Sequence, residues 1–569
     1  MKRLGKLAIT DSTKSGSNKR AQAKFRVKPH PAEIDSPRRP LGALEENIPE
    51  RVWKFGVAGI LLVAAVLRLW DLNLVPLHHD EGVNGNFLVR LVREGVYTYD
   101  PNNYHGPTLY YFSALIPWIT RLLFGNSARD TYGLTTFTIR LIPALFGLGT
   151  IALVFLLRRK LGTIATLSAG LMLAISPGAV YLSRYFIHET LFVFFTLGIV
   201  VALVWFYEER NPSYLIPAGA SAALLFATKE TAMISVGVLL IALVLTLIYT
   251  RFTRGQFAQS TGRRNRSRSS NSRLSELIAE MGGTTTVLGH LVVALIVFQG
   301  LYLLFYSSFF QNSKGIYDSL QTFAVWTQTG KTAHVHPIWM YAVWLAREEA
   351  PLSLLAAVGV LAVFAVPKPR NSMALFCALW AFGLIAAYSL IPYKTPWLML
   401  NFVVPLALIA GYAIQAIYQI DRGQLRLVSA ILVVAVVAGM YQSIDLNFIN
   451  YDNDDSKYVY VYAHTTRSTL ELVNQIDQIA KEESGGETGI TIISPDYWPL
   501  PWYLRNYSRV GYFGRMAPSS EPLIIANANQ KEEVDANFGE VYRQVSSNAP
   551  DGSFQLRPGV NLLLYRRRR

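Results

Sequence analysis

Long apolar runs alternate with short polar breaks along most of the chain. A run of about 18 apolar residues or more is long enough to cross the ~30 Å hydrocarbon core of a bilayer. We find eleven such runs, at 53–70, 136–157, 161–181, 189–207, 213–229, 231–250, 286–306, 351–366, 372–391, 397–418 and 425–443. The pattern therefore predicts an all-α polytopic membrane protein with about 11 transmembrane helices.

The charge of the chain indicates how these helices are oriented. The net charge is +15, and residues 1–54 hold 13 Lys and Arg against 6 acidic residues. Residues 251–274 hold seven Arg and no acid. Basic loops remain in the cytoplasm, so the N-terminus is expected inside. The apolar run 107–124 is a possible twelfth span. The later basic loops lie in the cytoplasm only if this run stays on the outer surface of the membrane.

This topology divides the chain into three predicted parts. Residues 1–52 form a disordered basic cytoplasmic tail, and residues 53–445 form the transmembrane domain. That domain has a first external loop at 71–135, a cytoplasmic Arg-rich loop at 251–274 and an external loop at 307–350. The basic charge is thus interpreted as a topology signal, and we predict no nucleic-acid partner because no nucleic-acid-binding motif accompanies it.

The last part of the chain, residues 446–569, contains none of these runs. It has short β-rich stretches at 488–494, 522–527 and 560–565 after an amphipathic helical stretch at 467–483. We predict a small α/β domain, extracytoplasmic because the number of spans is odd. Its Trp- and Tyr-rich segment 497–507 is expected either on the bilayer surface or in the core of this domain.

Two adjacent carboxylates, Asp80 and Glu81, lie in the first external loop. A carboxylate at the membrane surface can act as a general base, and its neighbour can orient the site or bind a metal ion. The alternative is structural, because acidic residues are common in the first turn of a helix.

Several cations are predicted at the same face of the membrane. Ionisable residues at membrane depth are candidates for function, and these are Arg68, Arg140, Lys229 and Lys394, with His188-Glu189 opening the fourth span. Cations that face a carboxylate pair suit a lipid phosphate headgroup undergoing transfer. The alternatives are snorkelling of Arg and Lys to headgroups and a polar His188–Glu189 pair between helices.

The external loop 307–350 contains His334 and His336. A His-x-His pair on a strand directs both side chains to one face and can bind a metal ion. A divalent cation held by these two residues and Glu81 is therefore possible, although hydrogen bonding to substrate is favoured. No cofactor is certain. The single cysteine, Cys377, excludes a disulfide framework.

An ordered set of motifs connects these residues. The set consists of Arg68-Leu69-Trp70, Asp80-Glu81, Arg140-Leu141-Ile142-Pro143, Arg184-Tyr185 with Glu189, Thr228-Lys229, and Lys394 with Pro405. It resembles the GT-C class membrane glycosyltransferases of the protein O-mannosyltransferase and aminoarabinose transferase (GT39-like) superfamily. The motifs at 79–82, 104–108, 334–337 and 498–503 resemble a prokaryotic, flippase-activity-associated subfamily.

The resemblance implies transfer of a sugar from a polyprenyl-phosphate-linked donor to a protein or glycolipid hydroxyl at the outer face of the cell membrane. Asp80 would be the base, with Glu81 assisting. The lipid phosphate would be bound by Arg68, Arg140, Lys229 and Lys394. Sugar or acceptor would contact His79, Tyr104, His105, His188, Glu189, His334 and His336. The alternatives are a flippase or transport component, or a non-catalytic scaffold for lipid-linked glycan assembly.

Overall fold

The computed structural model describes residues 48–103, 105–125, 133–260, 270–326, 334–365, 372–420, 425–452 and 457–568. Nearly all of the predicted tail 1–52 lies outside these residues, as does the middle of the Arg-rich loop. Both ends of that loop are helical, because one helix continues to Ser260 and the next begins at Ser270.

Twenty-one α-helices are found in the described residues, besides short 3-10 and π-helical turns. They are α1 (Glu50–Leu69), α2 (His79–Glu94), α3 (Thr108–Phe124), α4 (Thr136–Phe155), α5 (Arg158–Leu161), α6 (Thr163–Ile175), α7 (Pro177–Ser183), α8 (Glu189–Glu209), α9 (Leu215–Phe226), α10 (Ala232–Ser260), α11 (Ser270–Glu280), α12 (Thr284–Tyr306), α13 (Lys314–Trp326), α14 (Met340–Glu348), α15 (Ala350–Ala365), α16 (Ser372–Leu390), α17 (Leu400–Ile420), α18 (Leu425–Ile444), α19 (Ser468–Glu482), α20 (Leu500–Tyr503) and α21 (Lys531–Phe538).

Eight helical segments among the described residues are long and apolar enough to cross a membrane, and up to ten if each bent pair counts as one span. The eight contain α1, α4, α8, α10, α12, α16, α17 and α18. The fold class is confirmed as a multi-pass helical membrane protein, but three of the eleven predicted spans are not simple helices. The run 161–181 is the pair α6–α7, bent by 60°, and 351–366 is the second arm of the pair α14–α15, bent by 113°. The run 213–229 forms only the shorter apolar helix within Pro212–Phe226.

The bend between α6 and α7 has a local cause and a buried cap. Ser176 precedes Pro177, and a residue before proline is disfavoured in the α conformation. The break leaves carbonyl groups at the end of α6 without helical partners. Arg68 donates to two of them, Ala174 at 2.9 Å and Leu173 at 3.0 Å. A charged side chain of α1 therefore stabilises an interrupted helix.

The C-terminal part is a small α/β domain, as the sequence predicts, and its sheet is mixed and has six strands among the described residues. Its strands are β1 (Ile490–Ile492), β2 (Val510–Tyr512), β3 (Leu523–Asn527), β4 (Tyr542–Val545), β5 (Phe554–Arg557) and β6 (Val560–Arg567). The order is β2-β1-β3-β6-β4, with β5 also pairing with β6. The β1–β2 and β1–β3 pairs are parallel, whereas the pairs that involve β6 are antiparallel. Helix α19 packs on one face through Leu472 and Ile476, and α21 packs on the other through Val534.

Candidate functional site

A cavity of about 620 Å³ lies where the ends of several helices and the segments between them meet. Its walls come from the first turn of α2, the loop before α3, the start of α8, the turn between α9 and α10, and the segment between α16 and α17. Seven of the predicted site residues line it: His79, Asp80, His105, His188, Glu189, Lys229 and His334. The fold therefore brings together residues that are up to 255 positions apart in sequence, since the cavity contains both His79 and His334.

Asp80 lies at the start of α2, and its carboxylate faces the cavity. The ring of His78 caps this helix, because its Nδ1 accepts a hydrogen bond from the backbone N–H of Asp80 at 3.1 Å. The side chain of Asp80 is 41% exposed and lies 3.9 Å from the His78 ring. Within the described residues its carboxylate accepts no hydrogen bond, so both oxygens are available to a substrate.

Glu81, the next residue, is fully buried. Its Oε1 accepts from Arg140 Nε at 2.7 Å and from the Phe186 backbone N–H at 2.8 Å. Its Oε2 accepts from Arg140 Nη2 at 2.5 Å and from the His78 backbone N–H at 3.0 Å. Every acceptor position of this carboxylate is therefore in use, and none remains for a metal ion or a substrate.

Arg140 is equally saturated. A guanidinium has five N–H donors. Two of them bind Glu81, and the others donate to three backbone carbonyl groups, those of Leu72, Val75 and Pro76. These carbonyls belong to the segment that joins α1 to α2. Arg140 therefore fixes the approach to Asp80, and it does not line the cavity.

Two further pairs organise the opposite wall. Lys229 Nζ donates to Glu189 Oε1 at 2.5 Å, and both side chains are buried. His105 Nδ1 lies 3.2 Å from Glu230 Oε2, and His105 also forms an isolated β-bridge with Lys229. The two backbone segments approach so closely at this bridge that position 106 requires glycine. A Cβ there would lie 2.1 Å from the Ala227 carbonyl oxygen.

His188 lies beside this wall, immediately before α8. Its Nε2 is 3.0 Å from the Gly106 carbonyl oxygen, and its ring centroid is 5.0 Å from that of His105. Burial, reinforced by His105 and Lys229, lowers the pKa of His188 well below its usual range. The ring is therefore neutral at pH 7.

Lys394, His334 and His336 come from two segments that form a bridge at Val335 and Tyr393. Lys394 Nζ donates to the carbonyl groups of Ile391 at 2.6 Å and His336 at 3.3 Å. Neither Lys394 nor His336 lines the cavity, but Tyr393 and Thr395 on either side of the lysine do.

The structure separates other predicted residues from the cavity. Arg68 is occupied at the end of α6, and Arg184 donates to the Trp70 and Asp71 carbonyl groups at the end of α1. Tyr104 lies outside the described residues. No three His, Cys, Asp or Glu side chains in the described part of the chain form a group suited to a metal ion. The proposed set of Glu81, His334 and His336 does not fit one, because Glu81 is saturated.

Sequence reasoning missed several polar residues of the cavity. These include Asn84, Asn102, Asn103, Thr231 and Tyr388. Asn102 and Asn103 immediately precede the Tyr-His-Gly-Pro motif, and Thr231 lies two residues after Lys229. Their proximity to recognised motifs is the only sequence signal they carry.

The segment 497–507 contributes to the core of the C-terminal domain through Leu500 and Leu504, which is one of the two places that the sequence predicts. It packs on α2, next to Asp80. A Cβ at Gly82 would lie 2.5 Å from Pro499 Cβ, and one at Gly85 would lie 2.6 Å from the Trp502 ring. The hydroxyl of Tyr503 accepts from the Leu77 backbone N–H at 2.8 Å. The C-terminal domain therefore supports the helix that presents Asp80.

Comparisons with known proteins agree with this architecture. Residues 113–261 match the family described as dolichyl-phosphate-mannose-protein mannosyltransferase. The structure of ArnT from Cupriavidus metallidurans in the apo state is 14% identical, with a TM-score of 0.56 over 90% of this chain and 98% of ArnT. ArnT bound to undecaprenyl phosphate gives 14% identity and a TM-score of 0.55 over 91% and 98%.

The chain has the GT-C glycosyltransferase fold. The archaeal oligosaccharyltransferase AglB from Archaeoglobus fulgidus, in complex with an inhibitory peptide and a dolichol-phosphate, shares it at 13% identity and a TM-score of 0.51, over 89% of this chain and 74% of AglB. No curated protein sequence matches the chain. The resemblance to the GT-C superfamily is thus confirmed. The matched region 113–261 includes Arg140, Glu189 and Lys229 of this chain.

Proposed function

We propose that this GT-C protein transfers a sugar from a polyprenyl-phosphate-linked donor to an acceptor hydroxyl at the outer face of the membrane. The observation that carries the proposal is the carboxylate of Asp80 at the wall of a polar cavity, which accepts no hydrogen bond from the described residues. ArnT, which has the same fold, was solved with undecaprenyl phosphate. The acceptor is a protein or a glycolipid.

Asp80 is the proposed general base. A hydroxyl group must lose its proton as its oxygen bonds to the anomeric carbon of the sugar. The bond from that carbon to the lipid phosphate breaks at the same time, and the phosphate leaves with the electron pair. An acceptor-only carboxylate at hydrogen-bond distance takes the proton, which contributes roughly 10²- to 10⁴-fold to the rate.

The proposed binding roles follow from which groups line the cavity. Lys229 lines the cavity, whereas Lys394 belongs to the segment 391–398 but does not itself line the cavity. A cation stabilises the negative charge that develops on the leaving phosphate. His79, His105, His188 and His334 are proposed to bind sugar or acceptor hydroxyls. For Glu81, Arg140 and Arg68 we propose positioning roles, because their hydrogen bonds hold backbone segments.

The experiment uses the full-length protein in nanodiscs with a polyprenyl-phosphate hexose. Release of polyprenyl phosphate in the wild type, and its loss in Asp80→Asn with the donor still bound, would support the proposal. Movement of the donor across liposomes without cleavage would instead establish a flippase. Normal turnover by Asp80→Asn would contradict the assignment of the base.

The orientation has its own test. In a Cys377→Ala background, Lys531 and Arg266 are each replaced by cysteine, and right-side-out vesicles are treated with a membrane-impermeant maleimide. The two positions are expected on opposite sides of the membrane. Labelling of position 531 from the outside is expected. Labelling of position 266 from the outside would contradict the proposed topology.

A further inference from the structure

A row of four rings connects the edge of the C-terminal sheet to the cavity. Tyr512 lies at the end of the edge strand β2, and its ring centroid is 5.2 Å from that of Tyr497. Tyr497 lies 5.6 Å from Trp498, and Trp498 lies 6.2 Å from His79. His79 lines the cavity and immediately precedes Asp80. We call these four residues the aromatic row.

The side chains of the aromatic row are at least partly accessible to solvent. Tyr512 is exposed, and Tyr497, Trp498 and His79 are partly exposed. Trp502, only four residues after Trp498, is by contrast 1% exposed in the contact with α2. The aromatic row therefore leaves part of its ring surface open to a ligand, although Tyr497 also packs against the core of the domain.

The backbone beneath the row is held rigidly against the catalytic helix. Pro499 packs against Gly82, so that Trp498 cannot move away from α2 without breaking this contact. The hydrogen bond from Leu77 to Tyr503 fixes the same segment from the other side. The distance between the row and Asp80 is thus set by the fold.

An ion pair lies beside the aromatic row. Arg557 of β5 donates to the carboxylate of Asp496, and both side chains are partly exposed. This pair lies beside the row, because Asp496 immediately precedes Tyr497. The pair offers donors and acceptors without net charge, which suits a neutral ligand that is rich in hydroxyl groups.

We propose that the aromatic row is an acceptor subsite for a neutral glycan. Sugar rings would pack their C–H faces on Tyr512, Tyr497 and Trp498, and a terminal hydroxyl would reach Asp80. This inference rests on the proposed transfer reaction and specifies its acceptor class. A peptide acceptor fits less well, because the edge strand β2 has only three residues for backbone pairing.

The test measures binding, so that it does not depend on turnover. Full-length protein in nanodiscs is applied to an array that carries neutral oligosaccharides and Ser/Thr-containing peptides. We expect the wild type to bind the oligosaccharides and not the peptides. Tyr512→Ala should bind them about three- to tenfold more weakly, the loss expected for one aromatic contact.

Phe513→Ala is the matched control, because Phe513 is an adjacent, exposed aromatic residue outside the row. It should bind like the wild type. Binding to peptides only, binding to neither ligand, or equal losses in Tyr512→Ala and Phe513→Ala would overturn the inference. Oligosaccharide binding by an Asp80→Asn protein that shows normal turnover would leave the subsite intact and reject only the proposed base.

Discussion

Arg140 holds both carboxylate oxygens of Glu81 while its remaining donors bind the segment between α1 and α2. Both side chains are buried at a position next to the cavity. Two adjacent acidic residues therefore differ completely in their surroundings, since Asp80 is open to the cavity and Glu81 is enclosed. The first prediction separates their roles.

Glu81→Gln should destabilise the protein by about 3–5 kcal/mol, because removing one partner of a buried ion pair leaves the other charge uncompensated. Asp80→Asn should leave the thermal midpoint in detergent unchanged while transfer falls by roughly 10²- to 10⁴-fold. Thermal unfolding and donor cleavage are measured on both variants. A large loss of stability in Asp80→Asn would contradict this division.

The Lys229–Glu189 pair gives a second prediction. Lys229→Met should lower stability by about 3–5 kcal/mol, because Glu189 then carries a buried charge without a cation. The double variant Lys229→Met/Glu189→Gln should recover most of that stability. It should not recover transfer, because the leaving phosphate still lacks the cation. Recovery of transfer in the double variant would show that Lys229 has a purely structural role.

Two buried histidines predict a dependence of stability on pH. Burial lowers the pKa of His188 and of His464 well below 6.5. Below pH 6.5 the unfolded chain therefore binds more protons than the folded protein, so stability falls as the pH falls. The loss is at most about 1.4 kcal/mol per pH unit for each histidine.

Thermal midpoints between pH 7.5 and pH 5 test this dependence. The variants His188→Asn and His464→Gln should each flatten the acid side of the profile, and the double variant should flatten it further. An unchanged slope in the double variant would assign the acid sensitivity to other groups.

The close contact between Gly82 of α2 and Pro499 of the C-terminal domain gives a further prediction. In Gly82→Ala the new methyl group would lie 2.7 Å from the backbone Cα of Pro499, so the segment 498–503 must shift. Overpacking of this kind costs about 1–3 kcal/mol. Transfer should also fall, because the segment 498–503 supports α2, the helix that presents Asp80.

Gly59→Ala in α1 is the matched control, since a Cβ there meets nothing within 4 Å. It should leave the thermal midpoint and the transfer rate unchanged. If both glycine variants behave alike, the contact between Gly82 and Pro499 is not required for activity.

Several elements could be predicted closely because their causes are local. The amphipathic stretch 467–483 is the helix Ser468–Glu482, and the stretch 522–527 contains the strand Leu523–Asn527. The short strands Val510–Tyr512, Tyr542–Val545 and Phe554–Arg557 were missed. Their pairing with distant strands, and not their own pattern, defines them.

Other errors arose where a local pattern has two structural solutions. An apolar run can be a straight span or a bent pair of helices, and Ser176-Pro177 forms the bend that the run 161–181 concealed. A buried arginine can bind phosphate or cap a helix. Arg68 caps α6 because the break in that helix leaves carbonyl groups without partners.

The sequence by itself determined the membrane-embedded helices, the small strand domain, and the clustering of charged residues at a few breaks between helices. These follow from local hydrophobic and charge patterns. Only the tertiary structure decided which of two adjacent carboxylates is free. Successive residues of a helix point about 100° apart, so α2 directs Asp80 to the cavity and Glu81 to the buried guanidinium of Arg140, 59 residues away in sequence.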